Sequence, residues 1–98
     1  MIYLIKYTLK NPNKFNDYDQ ICNILKTAED WCVYSQNMWF IKSNHNISFW
    51  FNKIMPLLDK YDEFFMVQIF GNYGGYLNKK ALDWLRQYFP KSNEIILS

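Results

Sequence analysis

The chain has one arginine, Arg86, and one histidine, His45, among 98 residues. Bidentate contacts to phosphate or guanine favour arginine, so sequence-specific reading of duplex DNA is excluded as a main task. A single histidine, in the loop "SNHNIS" with no Ser or Cys partner beside it, does not make a nucleophilic triad. Cys22 and Cys32 are too few for a disulfide framework and lack the spacing of a zinc site. No apolar run approaches the roughly 18 residues that a membrane span requires. The N-terminus reads as a strand with Lys6 inside it, not as a signal peptide. A cytoplasmic protein with reduced thiols and no membrane contact is therefore expected.

What is present is apolar and aromatic. Half the residues are hydrophobic and 20% are aromatic, so the chain is far too hydrophobic for disorder. One domain over residues 1–98 is the expectation, and some aromatic surface should be left over for a partner. The net charge is only +2, and the lysines are scattered rather than clustered.

Periodicity gives the element order. Residues 1–9 are β-branched and aromatic and read as a strand. Asn16 or Asp17 is placed to cap a helix whose face is Tyr18, Ile21, Ile24, Leu25 and Ala28, running to about Glu29. Trp31 to Ser35 and Met38 to Ser43 flank a Gln-Asn turn and read as a hairpin. Asn46 is placed to cap a second helix with Ile47, Trp50, Phe51, Ile54 and Leu58 on one face, and Pro56 should kink it or tighten its last turn. Glu63 to Phe70 is the most apolar strand. The loop "GNYGGYL" holds all three glycines, and Asn78 is placed to cap a third helix carrying Ala81, Leu82, Leu85 and Phe89. Pro90 ends it, and "EIILS" reads as a short last strand.

This order predicts an α+β, ferredoxin-like β-α-β-β-α-β domain with an appended C-terminal helix and short strand. Two helices should cover one face of a four-stranded antiparallel sheet. Polar residues within the strands mark the open face: Lys6 and Thr8, Lys42, and Gln68. Alternation then places Leu4, Phe40, Phe64 and Met66 on that face. Those four are the expected interface of a homodimer, since an isologous contact buries one patch against its own copy.

The glycine loop offers a second candidate. Gly71, Gly74 and Gly75 permit unusual backbone angles next to a helix start, which suits a phosphate. The Gly-Lys-Ser/Thr of a phosphate-binding loop is missing. As a binding site the loop would use Tyr73, Gly74, Gly75 and Tyr76 for stacking, and Lys79 and Lys80 for phosphates. A tight turn with two exposed tyrosines is the simpler reading. No cofactor or metal is expected.

Segments "YLIKYTL" before a proline loop, "MWFIKS", "LLDKYDEFFMVQI" before a glycine-bearing loop, and "DWL" resemble the small bacterial and phage proteins labelled SinR-family. These are similar to CRISPR-associated protein 2. The resemblance implies a ferredoxin-like homodimer formed through the open sheet face and the C-terminal strand. It also implies that strand one should end in Tyr-Asp, with paired Asp residues able to hold a divalent metal and cut phosphodiesters. Here the pair is Tyr7-Thr8, and a neutral hydroxyl is a weak ligand for Mg²⁺. Asp17 and Asp19 read as helix-start acids, and Asp62 and Asp83 are the remaining candidates for an acid cluster. A non-catalytic homodimeric interaction module is the expectation, binding a protein or nucleic acid, with a phage defence or counter-defence role implied by the resemblance alone. A metal-dependent endonuclease and a small-nucleotide binder using loop 71–76 are the alternatives.

Overall fold

A computed structural model of the chain describes residues 1–10, 15–71 and 73–90. The elements run β1 (Ile2–Thr8), α1 (Phe15–Leu25), β2 (Asp30–Ser35), β3 (Met38–Lys42), α2 (Ile47–Ile54), β4 (Glu63–Ile69) and α3 (Lys79–Tyr88). The four strands form one antiparallel sheet in the order β2-β3-β1-β4. Each β-α-β crossover leaves room for one strand between its ends, giving a ferredoxin-like α+β fold. Among the described residues no helix is long and apolar enough to cross a membrane.

The sheet is built outward from β1. Its odd-numbered residues Tyr3, Ile5 and Tyr7 are at most 1% exposed and pack with Trp39, Ile41 and Met66 from the neighbouring strands. Ile21 and Leu25 of α1 and Trp50 and Ile54 of α2 close this side, as the helical spacing required. The two helices therefore lie on one face, as expected. The other face is not open: α3 lies across it, burying Ala81, Trp84 and Leu85 against Ile2, Cys32 and Phe40.

Helix ends follow local chemistry. Asn46 and Asn78 accept hydrogen bonds from the N–H groups of Phe49 (3.0 Å) and Ala81 (2.8 Å). Each satisfies a donor that helix geometry leaves unpaired. Asn16 and Asp17 instead fall inside α1, so neither is its cap, and the cap position lies outside the described residues. The last turns expected of this helix, Lys26 to Glu29, form a tighter run of turns with Thr27 N–H bonded to the Ile24 carbonyl. Pro56 has the expected effect: α2 ends at Ile54 and the chain tightens into a 3₁₀ turn, Met55–Leu57. The "EIILS" strand lies outside the described residues.

The β3–α2 connection is pinned from the core. Ser43, fully buried, accepts from the Trp50 indole (3.0 Å) and from the His45 N–H (2.9 Å). The Tyr3 hydroxyl donates to the His45 carbonyl at 2.9 Å. His45 itself is exposed and stacks on Phe49, centroids 3.7 Å apart.

In urea melts, Asn78→Ala should cost about 1 kcal/mol through the lost cap. Ser43→Ala should cost about 1–3 kcal/mol, because it leaves the Trp50 indole buried and unpartnered. Trp50→Ala should cost more, about 3–5 kcal/mol, by opening a cavity. If Ser43→Ala melts like the parent chain, the serine is not what holds the indole.

Candidate binding surface

Register decides which residues share the face under α3. Directly opposed residues in an antiparallel pair point to the same side. Leu4 faces Phe40 on β3 and Val67 on β4, while Ile5 faces Trp39 and Met66. Leu4, Phe40, Phe65, Val67 and Ile69 therefore lie on the α3 side, and Phe64, Met66 and Gln68 lie on the side of α1 and α2. Phe64 and Met66 thus lie on the opposite face from Leu4 and Phe40, so the four residues expected on one open face do not share it. Met66 is 6% exposed in the helix-side core, and Phe64 stacks on Tyr7 and meets Phe51 edge-on. Phe40 is on the expected face but is covered by Trp84. Only half-buried Leu4 keeps part of its place. Gln68 misled because β4 is an edge strand, where a polar side chain on the covered face still reaches water.

The residues left uncovered are the ones that the alternation assigned to the wrong side. Phe65 is 61% exposed and Val67 37%, on the sheet face beside α3. Among the described residues no strand pairs with the outer edge of β4. The run "EFFMVQI" is apolar on both parities, so strand period alone could not choose between them. The pairing with β1, from Ile2 opposite Ile69 to Thr8 opposite Glu63, makes the choice.

The chain reaches α3 through the glycine loop. Gly75 has φ of +144°, a backbone angle that side chains rarely adopt, so glycine is required there by conformation. Among the described residues, nothing lies within 4 Å of where its Cβ would be. Tyr73, Gly74, Gly75 and Tyr76 form one wall of a cavity of about 320 Å³, whose floor includes Leu4, Met38 and Phe40. Lys79 and Lys80 do not line it. Lys79 is paired with Asp83 at 2.6 Å, and Lys80 faces a separate groove beside Trp31, Cys32 and Trp84. Of the six residues expected to act together, four line the cavity, Lys80 lines the groove and Lys79 is held by Asp83. Burial pushes the Cys32 thiol up, against a smaller downward pull from Lys80.

The far end of α3 is held by charge. The Tyr88 hydroxyl donates to Asp30 Oδ2, and the Asp30 carboxylate also accepts from the Trp31 N–H at 2.8 Å. Lys42, opposite Asp30 in the sheet, sits 5.3 Å from the Tyr88 ring centroid. Burial alone would raise the Asp30 carboxyl. The hydrogen bonds from Tyr88 and the Trp31 backbone, the nearby Trp84 indole and the Lys42 charge outweigh it and hold the group below its ordinary value. The Tyr88 phenol is pushed up to about 12 by burial and by its bond to Asp30. No signal in the sequence marked this pair, whose members are 58 residues apart.

The contacts at the end of β1 tie strands and turns together. The Tyr7 hydroxyl donates to the Gln36 carbonyl at 3.2 Å and touches the Cys22 sulfur; burial, then Cys22, raise its pKa well above the usual range. Thr8 pairs with Glu63, whose carboxylate lies 3.8 Å from Lys10. Asp62 accepts from the N–H groups of Lys10 (3.0 Å) and Asp59 (2.9 Å), tying the exit of β1 to the approach of β4. Asp83 lies on α3 between Lys79 and Arg86. Among the described residues, no group of three or more His, Cys, Asp and Glu side chains could hold a metal ion.

No family model matches the chain, and neither does any curated protein or solved structure.

The Asp30–Tyr88 bond generates a pH signature. Asp30 has a folded pKa below its ordinary 3.8, so its contribution is present above that value and is lost as pH falls through the lower folded one. Tyr88 has a raised pKa, so its contribution is present below 10.0 and is lost as pH rises through about 12. Tyr88→Phe should lower the urea midpoint near neutral pH and flatten both limbs of the stability–pH profile. An unchanged profile in Tyr88→Phe would show that the bond does not hold α3 in solution.

Proposed function

We propose that this chain is a non-catalytic interaction module that works as a homodimer, joined through the β4 edge and the apolar strip beside it. The observation that carries this reading is the exposure of Phe65 and Val67 side by side on one sheet face at an edge strand. An edge that no strand pairs with among the described residues is a template for another strand. Two copies pairing there about a two-fold axis extend the sheet and set each strip beside its own copy across the new strand pair. Phe65 is 61% exposed, so covering it recovers only part of the about 1.5–3 kcal/mol of a fully exposed Phe, once in each copy.

A protein fits better than a nucleic acid as any further partner. The strip is apolar, and Lys10 and Lys79 are engaged with Glu63 and Asp83 rather than gathered into a basic stripe. The neutral Thr8 at the end of β1, and acids dispersed in structural roles, favour binding over metal-dependent cleavage. The likeness to CRISPR-associated protein 2, and with it a defence or counter-defence setting, belongs to the same proposal and rests on the quoted sequence segments.

Sedimentation equilibrium tests the dimer. The parent chain should be dimeric at tens of micromolar. Phe65→Glu should be monomeric with an unchanged circular dichroism spectrum, because it places two like charges near the axis. Phe64→Glu should instead lower stability, since that ring is packed on Tyr7. A monomeric parent chain, or a dimer indifferent to Phe65→Glu, overturns the reading.

A further inference from the structure

The cavity between α3 and the sheet adjoins the Phe65–Val67 strip, since Leu4 in its lining pairs with Val67, but it has a chemistry of its own. Its floor and sides are Leu4, Met38, Phe40, Ile69, Leu82 and Leu85, and its fourth wall is the Tyr73–Leu77 loop. Among the described residues, no Lys, Arg, Asp, Glu or His side chain lines it. Phe40 and Leu85 are 3% and 1% exposed, so the hollow reaches down to residues of the packed layer. At the outer end Tyr76 is 72% exposed, and Gly74 and Gly75 leave the backbone uncovered there.

Protein interiors close-pack and leave few voids larger than a water molecule. A space of about 320 Å³ is roughly twice the ~150 Å³ apolar cavity that admits benzene. Water in it finds few of the polar partners that an ordered buried water needs, so an apolar group displaces it with a gain. A phosphate or carboxylate would be stripped of water with no opposite charge to meet it. Rings favour rings in such a site: Phe40 lies at the floor, and Tyr73 and Tyr76 flank the mouth. The exposed glycine backbone at the mouth offers hydrogen bonds to one polar group on the outer edge of the ligand.

We propose that this cavity binds a small, uncharged, planar aromatic molecule of about two fused rings, carrying a single hydrogen-bonding group that points out at the Gly74–Gly75 mouth. This changes the glycine loop from a phosphate cradle into the rim of an aromatic site. Lys79 and Lys80 have no part in it.

The test is a titration of the full chain with 1-naphthol, followed by methyl NMR. Leu4, Met38, Ile69, Leu82 and Leu85 should shift together and saturably. The charged analogue 1-naphthoate should bind at least tenfold more weakly. Leu82→Trp fills the hollow from α3 and should abolish the saturable shifts at Ile69 and Leu85. Met38→Phe does the same from β3, should the first variant fold poorly. Phe65→Glu should keep 1-naphthol binding, whatever its oligomeric state. Loss of binding in folded Phe65→Glu would place the probe at the contact between copies and overturn the proposal. Naphthoate binding as tightly as naphthol, or shifts that never saturate and centre on Val67, would overturn it as well.

Discussion

The second face of the sheet depends on how α3 is seated. Trp84 lies on Phe40, with ring centroids 6.3 Å apart, and Tyr88 closes the arrangement by bonding to Asp30 on β2. Remove that seat and Ile2, Cys32 and Phe40 lose their cover. The same seat sets the limits of the cover. A single helix of ten residues crosses the sheet and leaves the β4 strip exposed on one side of it. The hollow beneath the glycine loop and the exposed strip are both consequences of a helix too narrow for the sheet it lies on.

Two kinds of interaction divide the work. The face toward α1 and α2 is a continuous apolar layer, where Tyr3, Ile5, Tyr7, Trp39 and Trp50 exclude water almost completely. Its polar atoms are few and mostly satisfied, as with the Trp50 indole on Ser43. The α3 face mixes apolar contact with a charged anchor. Asp30 is held ionised by a phenol, a backbone N–H and a lysine, and this ties the helix end to a particular strand position in a way apolar contact alone does not. Trp84 contributes area, while its buried indole N–H makes no full hydrogen bond.

The end of β1 shows how a position can keep its structural part when its chemistry differs. Tyr7 is a core residue whose hydroxyl bridges to the β2–β3 turn. Thr8 completes the ladder opposite Glu63, and the nearby Asp62 spends its carboxylate on backbone N–H groups. Each acid near this end has a local partner, so the region reads as a joint between strands.

Element order, both asparagine caps, the effect of Pro56 and the helix-side core were legible in the chain itself. Each depends on residues within a few positions of one another: an Asn three residues before the N–H it receives, or apolar side chains recurring every three or four. The even and odd residues of β1 could be sorted as well, because Lys6 and Thr8 separate them. Strand β4 could not be sorted this way. "EFFMVQI" is apolar on both sides, and its one polar marker, Gln68, sits where an edge strand gives either face access to water. Only pairing with β1 decided that Phe64 and Met66 turn inward and Phe65 and Val67 outward. The seat of α3 was likewise beyond local pattern. Its apolar face says that it must cover something, but which face it covers depends on Ala81, Trp84 and Leu85 meeting Ile2, Cys32 and Phe40 and on Tyr88 meeting Asp30, contacts that exist only once the sheet has formed.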